Sequence, residues 1–332
     1  MGAVRITQLD GNLPNLALMR LAAFHRARGD EIVFTRSVQR GLMEPDYAHV
    51  YGSAIFKFSA ARLERFLLEF PGAIVGGTGT ASNGTVDEVV GDSWPLDYEL
   101  YPDFDASIGF TQRGCRLSCK FCVVPAKEGK PREEQSIAAP WPPPIWRGAP
   151  WPKHLHLLDN DFFGGPKWRE NITAIRCGEF KVSFTQGINV RAMTPEVAEA
   201  IASIEYRDDG FSRRRLYTAW DNLKDEEVFF RGIDMLEATG VPARNVMAYM
   251  LIGYDKRETW DRIWHRFHRM VERGIRPYPM VYDHQRKDLK RFQRWVVTGL
   301  YRAVKFEDYD TSIKTTRPSA ADDATLDLFS IR

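Results

Sequence analysis

The sequence predicts an α/β protein of two units, and three observations predict it. Short apolar runs alternate with helical patterns through the first hundred residues, which argues a mostly parallel sheet. The same alternation restarts near position 106 and continues to about 285. Between the two, residues 92–105 are dense in proline, aspartate and aromatic side chains, the composition of a linker. With 332 residues, 44% hydrophobic and 27% charged, the chain has material for buried cores in both units.

In the first unit, residues 1–91, the expected elements follow in order. Residues 4–9 form a strand stopped by Asp10-Gly11-Asn12, and Pro14 opens a helix. Its apolar positions Leu16, Met19, Leu21, Ala22 and Phe24 recur at helical intervals, and Arg28-Gly29-Asp30 ends it. Strands follow at 31–35 and 47–51, a helix at 60–70, and a strand at 73–75 that enters Gly76-Gly77-Thr78-Gly79. Such a sheet is flavodoxin-like or Rossmann-like, and its ligand positions are the loops at the carboxyl ends of the strands, here after Leu9, Tyr51 and Val75.

In the second unit, residues 106–285, strands are expected at 106–111, 154–158, 181–185, 215–219, 246–252 and 277–282. Helices stand between most of them, at 168–176, 195–204, 225–239 and 258–273. Residues 139–152 hold too many prolines for a helix or a central strand and predict extended backbone, either a lid or substrate wall or a surface brace. Residues 286–332 predict a C-terminal helix and tail. Arg286, Lys287, Lys290, Arg291 and Arg294 recur there at helical spacing, a basic stripe that suits either nucleic acid or a solvated face; the residues after Lys314 read as a weakly ordered tail.

Charge narrows the partners. The 46 basic and 44 acidic residues leave a net charge of +2, which gives no general argument for a nucleic-acid or membrane partner. No apolar run is long enough to span a bilayer and no secretory stretch opens the chain, so a cytoplasmic protein is expected.

The chemistry concentrates in Cys115-Arg-Leu-Ser-Cys119-Lys-Phe-Cys122, which leaves only Cys177 elsewhere. Thiolates are soft ligands that hold iron-sulfur clusters and zinc. A closed zinc site would show paired CxxC motifs with a downstream Cys or His pair, and none follows Cys122. A large, cysteine-poor chain argues against a disulfide framework. Cys177 reads as a buried structural thiol. Three thiols are one fewer than a closed site needs, so a cluster of four irons bound by them keeps one iron open.

The spacing of three and then two residues, with Phe121 before the last cysteine, resembles the radical S-adenosylmethionine (radical SAM) superfamily signature. That resemblance implies that Cys115, Cys119 and Cys122 bind a [4Fe-4S] cluster whose fourth iron chelates S-adenosylmethionine. It implies a partial (β/α)6 barrel over residues 106–285, with the cysteine loop following the first strand. Further cofactor-binding positions would lie at later strand ends: Asp159, Asn160 and Asp161; Gln186, Asn189 and Arg191; Asp221; and Ile252 and Gly253, beside the adenine. Asp159 to Asp161 read equally well as turn caps, and Arg191 as a solvated cation. A reductant such as a flavodoxin or ferredoxin is implied as partner.

The first unit resembles the cobalamin-binding domains that precede some radical SAM barrels, through Asp10-Gly11-Asn12, Ser53-Ala54-Ile55 and Gly76-Gly77. Asn12 stands where that family has its cobalt-binding histidine. Asn12, Ser53, Gly76 and Gly77 would be the cobalamin contacts, with the cobalt bound without a protein ligand; otherwise the domain keeps the fold without the cofactor. Methyl transfer or plain hydrogen abstraction on an unknown substrate follows accordingly. The competing reading is a non-catalytic iron-sulfur or zinc scaffold, nucleic-acid associated or not. His265 and His268, on the polar side of the 258–273 helix, are not expected to hold a second metal.

Overall fold

The computed structural model describes residues 2–81, 84–91, 94–138 and 144–312. The first part of the proline-rich run, residues 139–143, and the tail after Lys314 lie outside the described residues, as do linker positions 92 and 93. The chain divides into two compact units, with the boundary between Asp105 and Ala106.

The first unit holds strands β1 (Ala3–Gln8), β2 (Glu31–Thr35), β3 (Tyr47–Ser53) and β4 (Ile74–Gly76), and helices α1 (Leu16–Ala27), α2 (Ala60–Glu69) and α3 (Val86–Val90). All pairings are parallel in the order β2-β1-β3-β4. Helix α1 begins one residue past Asn15, because the Asn15 side chain accepts from Leu18 N at 3.2 Å and caps the first turn. Leu18, Met19, Leu21 and Ala22 bury their face against Val4, Ile6 and Tyr51. On the other side Gly52 lets the Phe66 ring lie flat on β3: a Cβ there would stand 2.5 Å from the ring. Full burial of such a ring is worth about 1.5–3 kcal/mol, and Phe66 is wholly buried.

The second unit begins with β5 (Ser107–Gly109), then a short antiparallel pair of β6 (Gln112–Arg113) and β7 (Arg132–Glu133) with α4 (Val124–Lys127) between them. Strands β8 (His154–Leu157), β9 (Lys181–Phe184) and β10 (Glu205–Tyr206) extend the parallel order β10-β9-β8-β5. A second parallel sheet joins β11 (Leu216–Ala219), β12 (Val246–Ile252) and β13 (Arg276–Val281). Helices α5 (Trp168–Cys177), α6 (Pro195–Ala202), α7 (Glu226–Ala238), α8 (Trp260–Glu272) and α9 (Lys287–Val297) alternate with the strands. The fold is mixed α/β with parallel sheets.

Two burial patterns follow the strand period of two. Leu155, Leu157, Val182, Phe184, Leu216, Ala248, Met250 and Ile252 share one hydrophobic core with the helices. Ile108, Tyr217, Met247, Tyr249, Tyr278 and Met280 are buried outside that core, on the opposite face, beside His156, Ser183 and Thr185. Every residue of β12 is therefore buried, which is why it reads as an unbroken apolar run. Between β9 and β11 the ladder is interrupted, and a loop contact replaces it: Ile188 N donates to Tyr217 O at 2.7 Å.

Three expectations are corrected. Cys177 is exposed rather than buried, because it ends α5 on the face opposite Trp168, Ile172 and Ile175. Arg291 leaves the basic stripe to donate to Phe306 O at 2.7 Å, its guanidinium 4.4 Å from the Phe306 ring. The fourth strand end of the second unit, expected as a polar cofactor position through Asp221, also carries Trp220, which is fully buried and stacks on Phe229 at 5.3 Å. What is described of the proline-rich run braces the sheet edge: Arg147 N donates to Ser107 Oγ at 3.1 Å, and the Trp146 ring meets Phe180.

A cysteine loop met by the strand ends

Residues 114–123 run between β6 and α4 and carry three half-buried thiols that form no disulfide, Cys115, Cys119 and Cys122. Gly114 enters the loop at φ +80°, and a Cβ there would lie 2.5 Å from Lys130 O, so only glycine fits the crossing. Cys122 N donates to Cys119 O at 3.0 Å, a tight turn that brings the last two cysteines together. Burial pushes the Cys115 thiol pKa up; Leu117 N, 3.3 Å from its sulfur, opposes this, and Asp161, Cys122 and Cys119 add to it. Asp161 and the other two thiols therefore stand near Cys115.

The expected residues after β8 turn toward this loop. Asp159 is 2% exposed and its carboxylate accepts Thr111 N at 3.1 Å, Thr111 Oγ1 at 2.6 Å and Gln112 N at 2.7 Å. Burial raises its pKa to about 6 against those donors. Asp159 thus ties the end of β8 to the turn from β5 into β6. Asn160 donates to Glu128 Oε2 at 3.1 Å. Arg116, inside the loop, meets Asp161 with Nη2 3.2 Å from Oδ1, and with Nε 2.7 Å from Oδ2 in an ion contact that lacks hydrogen-bond alignment. Gly164 and Gly165 pack closely here: their Cβ atoms would stand 2.1 Å from Asp161 Oδ2 and 2.5 Å from Gln112 Oε1, so a larger residue would displace those side chains.

The loop after β9 brings Arg191. Its Nη1 donates to Asp225 Oδ2 at 3.0 Å and its Nε to Asn189 Oδ1 at 3.3 Å. Burial works against the guanidinium charge, but the Asp225 carboxylate, with Cys119 assisting, outweighs it and holds the Arg191 pKa above the usual arginine value. Gln186 lies half-buried at the same strand end. From the end of β12, the Tyr254 ring meets Phe121 edge-on at 5.5 Å and Tyr282 at 4.9 Å.

Ile252 and Gly253 are used by the fold. Ile252 O accepts Tyr282 N at 2.9 Å and Gly253 N donates to Glu258 Oε2 at 2.8 Å. Asp221 accepts Leu251 N at 3.0 Å. Behind them stands Arg266, which sequence reasoning missed. It is 1% exposed and donates to Trp220 O at 3.0 Å, Asp221 O at 3.2 Å and Leu251 O at 3.0 Å, and it pairs with Glu258. Glu128, Arg116 and Asp225 were also missed, because residues whose role is to hold a loop by tertiary contact carry no spacing code. His265 bonds Glu226 Oε2 at 2.8 Å and His268 stacks on Trp264.

In the first unit the expected cobalamin contacts gather at the carboxyl end of the sheet and are mutually engaged. Ser53 Oγ accepts from Asn15 Nδ2 at 2.8 Å, and Asp10 accepts Ile55 N at 2.7 Å and Phe56 N at 2.9 Å. Gly76 O accepts Ala54 N at 3.0 Å. Gly77, at φ +104°, presses so close that a Cβ would stand 2.2 Å from Ala54 O. Asn12 is exposed beside Arg36, which donates to Gly11 O at 2.8 Å. The loops pack on one another, and the side chain at the histidine position is an amide, so these residues do not fit a cobalamin held by a protein ligand.

Comparison with family models, curated proteins and solved structures returned no match to this chain. The donor set of the cysteine loop fits a soft-metal cluster by chemistry: three thiols without disulfides, on one loop, with Cys119 and Cys122 close enough to Cys115 to help raise its pKa. Among the described residues no group of three or more His, Cys, Asp and Glu side chains already converges on a point where a metal ion would sit. No helix among the described residues is long and apolar enough to cross a membrane.

Proposed function

We propose that this protein is a radical S-adenosylmethionine enzyme, with a flavodoxin- or Rossmann-like first unit and a partial (β/α)6 barrel as its second. The observation that carries the reading is the CxxxCxxC loop between β6 and α4, met by Asp161, Arg191 and Tyr254 from the loops after β8, β9 and β12. Barrel enzymes assemble their sites from those ends. Two parallel sheets, β5-β8-β9-β10 and β11-β12-β13, joined by the Ile188–Tyr217 contact rather than by a strand ladder, are compatible with a barrel, and the order β2-β1-β3-β4 with the first unit.

Cys115, Cys119 and Cys122 would hold a [4Fe-4S] cluster, which when bound would supply an electron and an open iron for reductive cleavage of S-adenosylmethionine. The chain's own residues do the rest. Asp159 fixes the turn that delivers the loop. Arg191 places a positive charge beside Cys119, where it offsets thiolate charge and is within reach of an incoming carboxylate. Phe121 and Tyr254 wall one side of the loop with aromatic surface. A flavodoxin or ferredoxin is the expected reductant. Hydrogen abstraction is the reaction this arrangement favours, since the first unit does not fit a cobalamin held by a protein ligand.

Anaerobic reconstitution with iron and sulfide tests the reading. The expected result is about four irons per chain, visible charge-transfer absorption, and release of 5′-deoxyadenosine from S-adenosylmethionine under reduction. Cys119→Ala abolishes the release. Zinc uptake without a reducible cluster would establish the scaffold alternative, and cleavage retained by Cys119→Ala would remove the three-ligand assignment.

A further inference from the structure

The cysteine loop is closed by a carboxylate that belongs to neither the triplet nor a strand. Glu128 follows α4, and its Oε2 accepts from Gly114 N, immediately before Cys115, at 2.9 Å. The same oxygen accepts from Asn160 Nδ2 at 3.1 Å. A side chain fourteen positions along the chain therefore returns to the loop entrance and joins it to the end of β8. The closure coincides with the point where Gly114 crosses Lys130 too closely for any Cβ. Arg132 Nη1 donates back to Glu128 O at 2.5 Å, so the backbone carrying the carboxylate is itself held. The second contact, Arg116 on Asp161, tethers the residue after Cys115 to the residue after Asn160. Cys115 is thus gripped on both sides by consecutive residues of one strand end.

We propose that Glu128 is a positioning residue that closes the cysteine loop and sets where the Cys115 thiol stands, with Asn160 acting through it. Groups one bond removed from a metal ligand orient it, and their loss commonly costs about 10–100-fold in metal retention. Glu128 holds the main chain of the ligand segment rather than a ligand side chain, so it orders the loop before any metal arrives. Asn160, read from sequence as a cofactor contact, serves this closure. The consequence for cluster retention rests on the proposed function; the ordering of the loop does not.

The test compares the full-length wild type, Glu128→Ala and Glu128→Gln by thiol alkylation of metal-free protein, read by mass spectrometry at each cysteine. Cys177, exposed on α5, is the internal reference. Glu128→Ala is expected to alkylate Cys115 about tenfold faster relative to Cys177, the factor that corresponds to one lost charge-assisted hydrogen bond. The glutamine variant, whose amide oxygen accepts from both donors, returns the rate to near wild type. Equal Cys115 rates in all three proteins would overturn the proposal, as would acceleration of every cysteine alike, which marks general unfolding. Reconstitution of the same proteins with iron and sulfide separates the two readings. Faster alkylation in a chain that takes up no iron keeps the loop closure and removes the enzyme assignment; iron uptake with unchanged alkylation does the reverse.

Discussion

Replacing Arg266 by methionine tests what holds the strand ends of the second unit. The guanidinium is 1% exposed and serves three main-chain carbonyls, Trp220 O, Asp221 O and Leu251 O, together with Glu258, whose side chain is 11% exposed. Each lost hydrogen bond is worth about 1 kcal/mol, giving about 3 kcal/mol for the carbonyls. Breaking a buried ion pair by removing one partner costs about 3–5 kcal/mol, a figure that overlaps the first because both arise from one cation. Methionine returns part of the apolar contact of the arginine stem. The expected loss is about 4 kcal/mol, read at a slope of about 2–3 kcal/mol/M as a fall of roughly 1.5–2 M in the urea midpoint of the second unit with an unchanged slope. The pH dependence gives an independent sign. Burial raises the Glu258 pKa and Arg266 opposes it, so removing Arg266 lifts the folded-state value further. A carboxyl whose folded pKa exceeds its unfolded value adds stability at low pH that is lost as pH rises through the folded value. Arg266→Met is therefore less destabilised at about pH 5 than at about pH 8, and adding Glu258→Gln removes that difference. A midpoint shift below about 0.3 M would refute the reasoning, since it would mean that the carbonyls find other donors.

Asp209 gives a second pH test. Burial pushes its carboxyl up to about 7, Ser183 Oγ donates to one oxygen at 2.6 Å, and the other oxygen has no partner. The folded state keeps a proton that the unfolded chain releases, so wild-type stability falls as pH rises from about 4 to about 7 and then levels. Asp209→Asn should flatten that slope and stabilise the second unit by about 2–4 kcal/mol at about pH 8, measured by urea midpoints across pH; an unchanged slope would count against it. In the first unit, Gly77→Ala meets both a positive φ and Ala54 O and should cost more than about 2 kcal/mol. Gly76→Ala, with no heavy atom within 4 Å of its Cβ, is the control and should change far less. Equal thermal shifts would show that the Gly77 crossing relaxes freely.

Local chemistry made much of the chain legible. The period of apolar residues located β2, β12 and most helices to within a residue or two, since that period depends on burial of one face or both. Chain order alone placed the triplet after the first strand of the second unit. The Asn15 cap is local chemistry of the same kind, whereas Gly77 and Gly114 answer also to Ala54 and Lys130, more than a dozen residues away. The short pieces were not legible: α3, α4, β6, β7 and β10 are two to five residues long, too short for a period to register.

What the sequence by itself determined is the alternation of strands and helices, the thiol ligand set, and the polar strand ends as places to look. Tertiary structure alone decided what those polar residues hold. Asp159 and Asn160 turned from a cofactor toward the cysteine loop, Arg191 came to Cys119, and the glycine-rich loops of the first unit closed on each other. The reason is that a buried polar group is satisfied by whatever donor or acceptor folding brings within about 3 Å. Glu128 and Gly114 are fourteen residues apart and Arg266 and Trp220 forty-six, distances along the chain that no local pattern encodes.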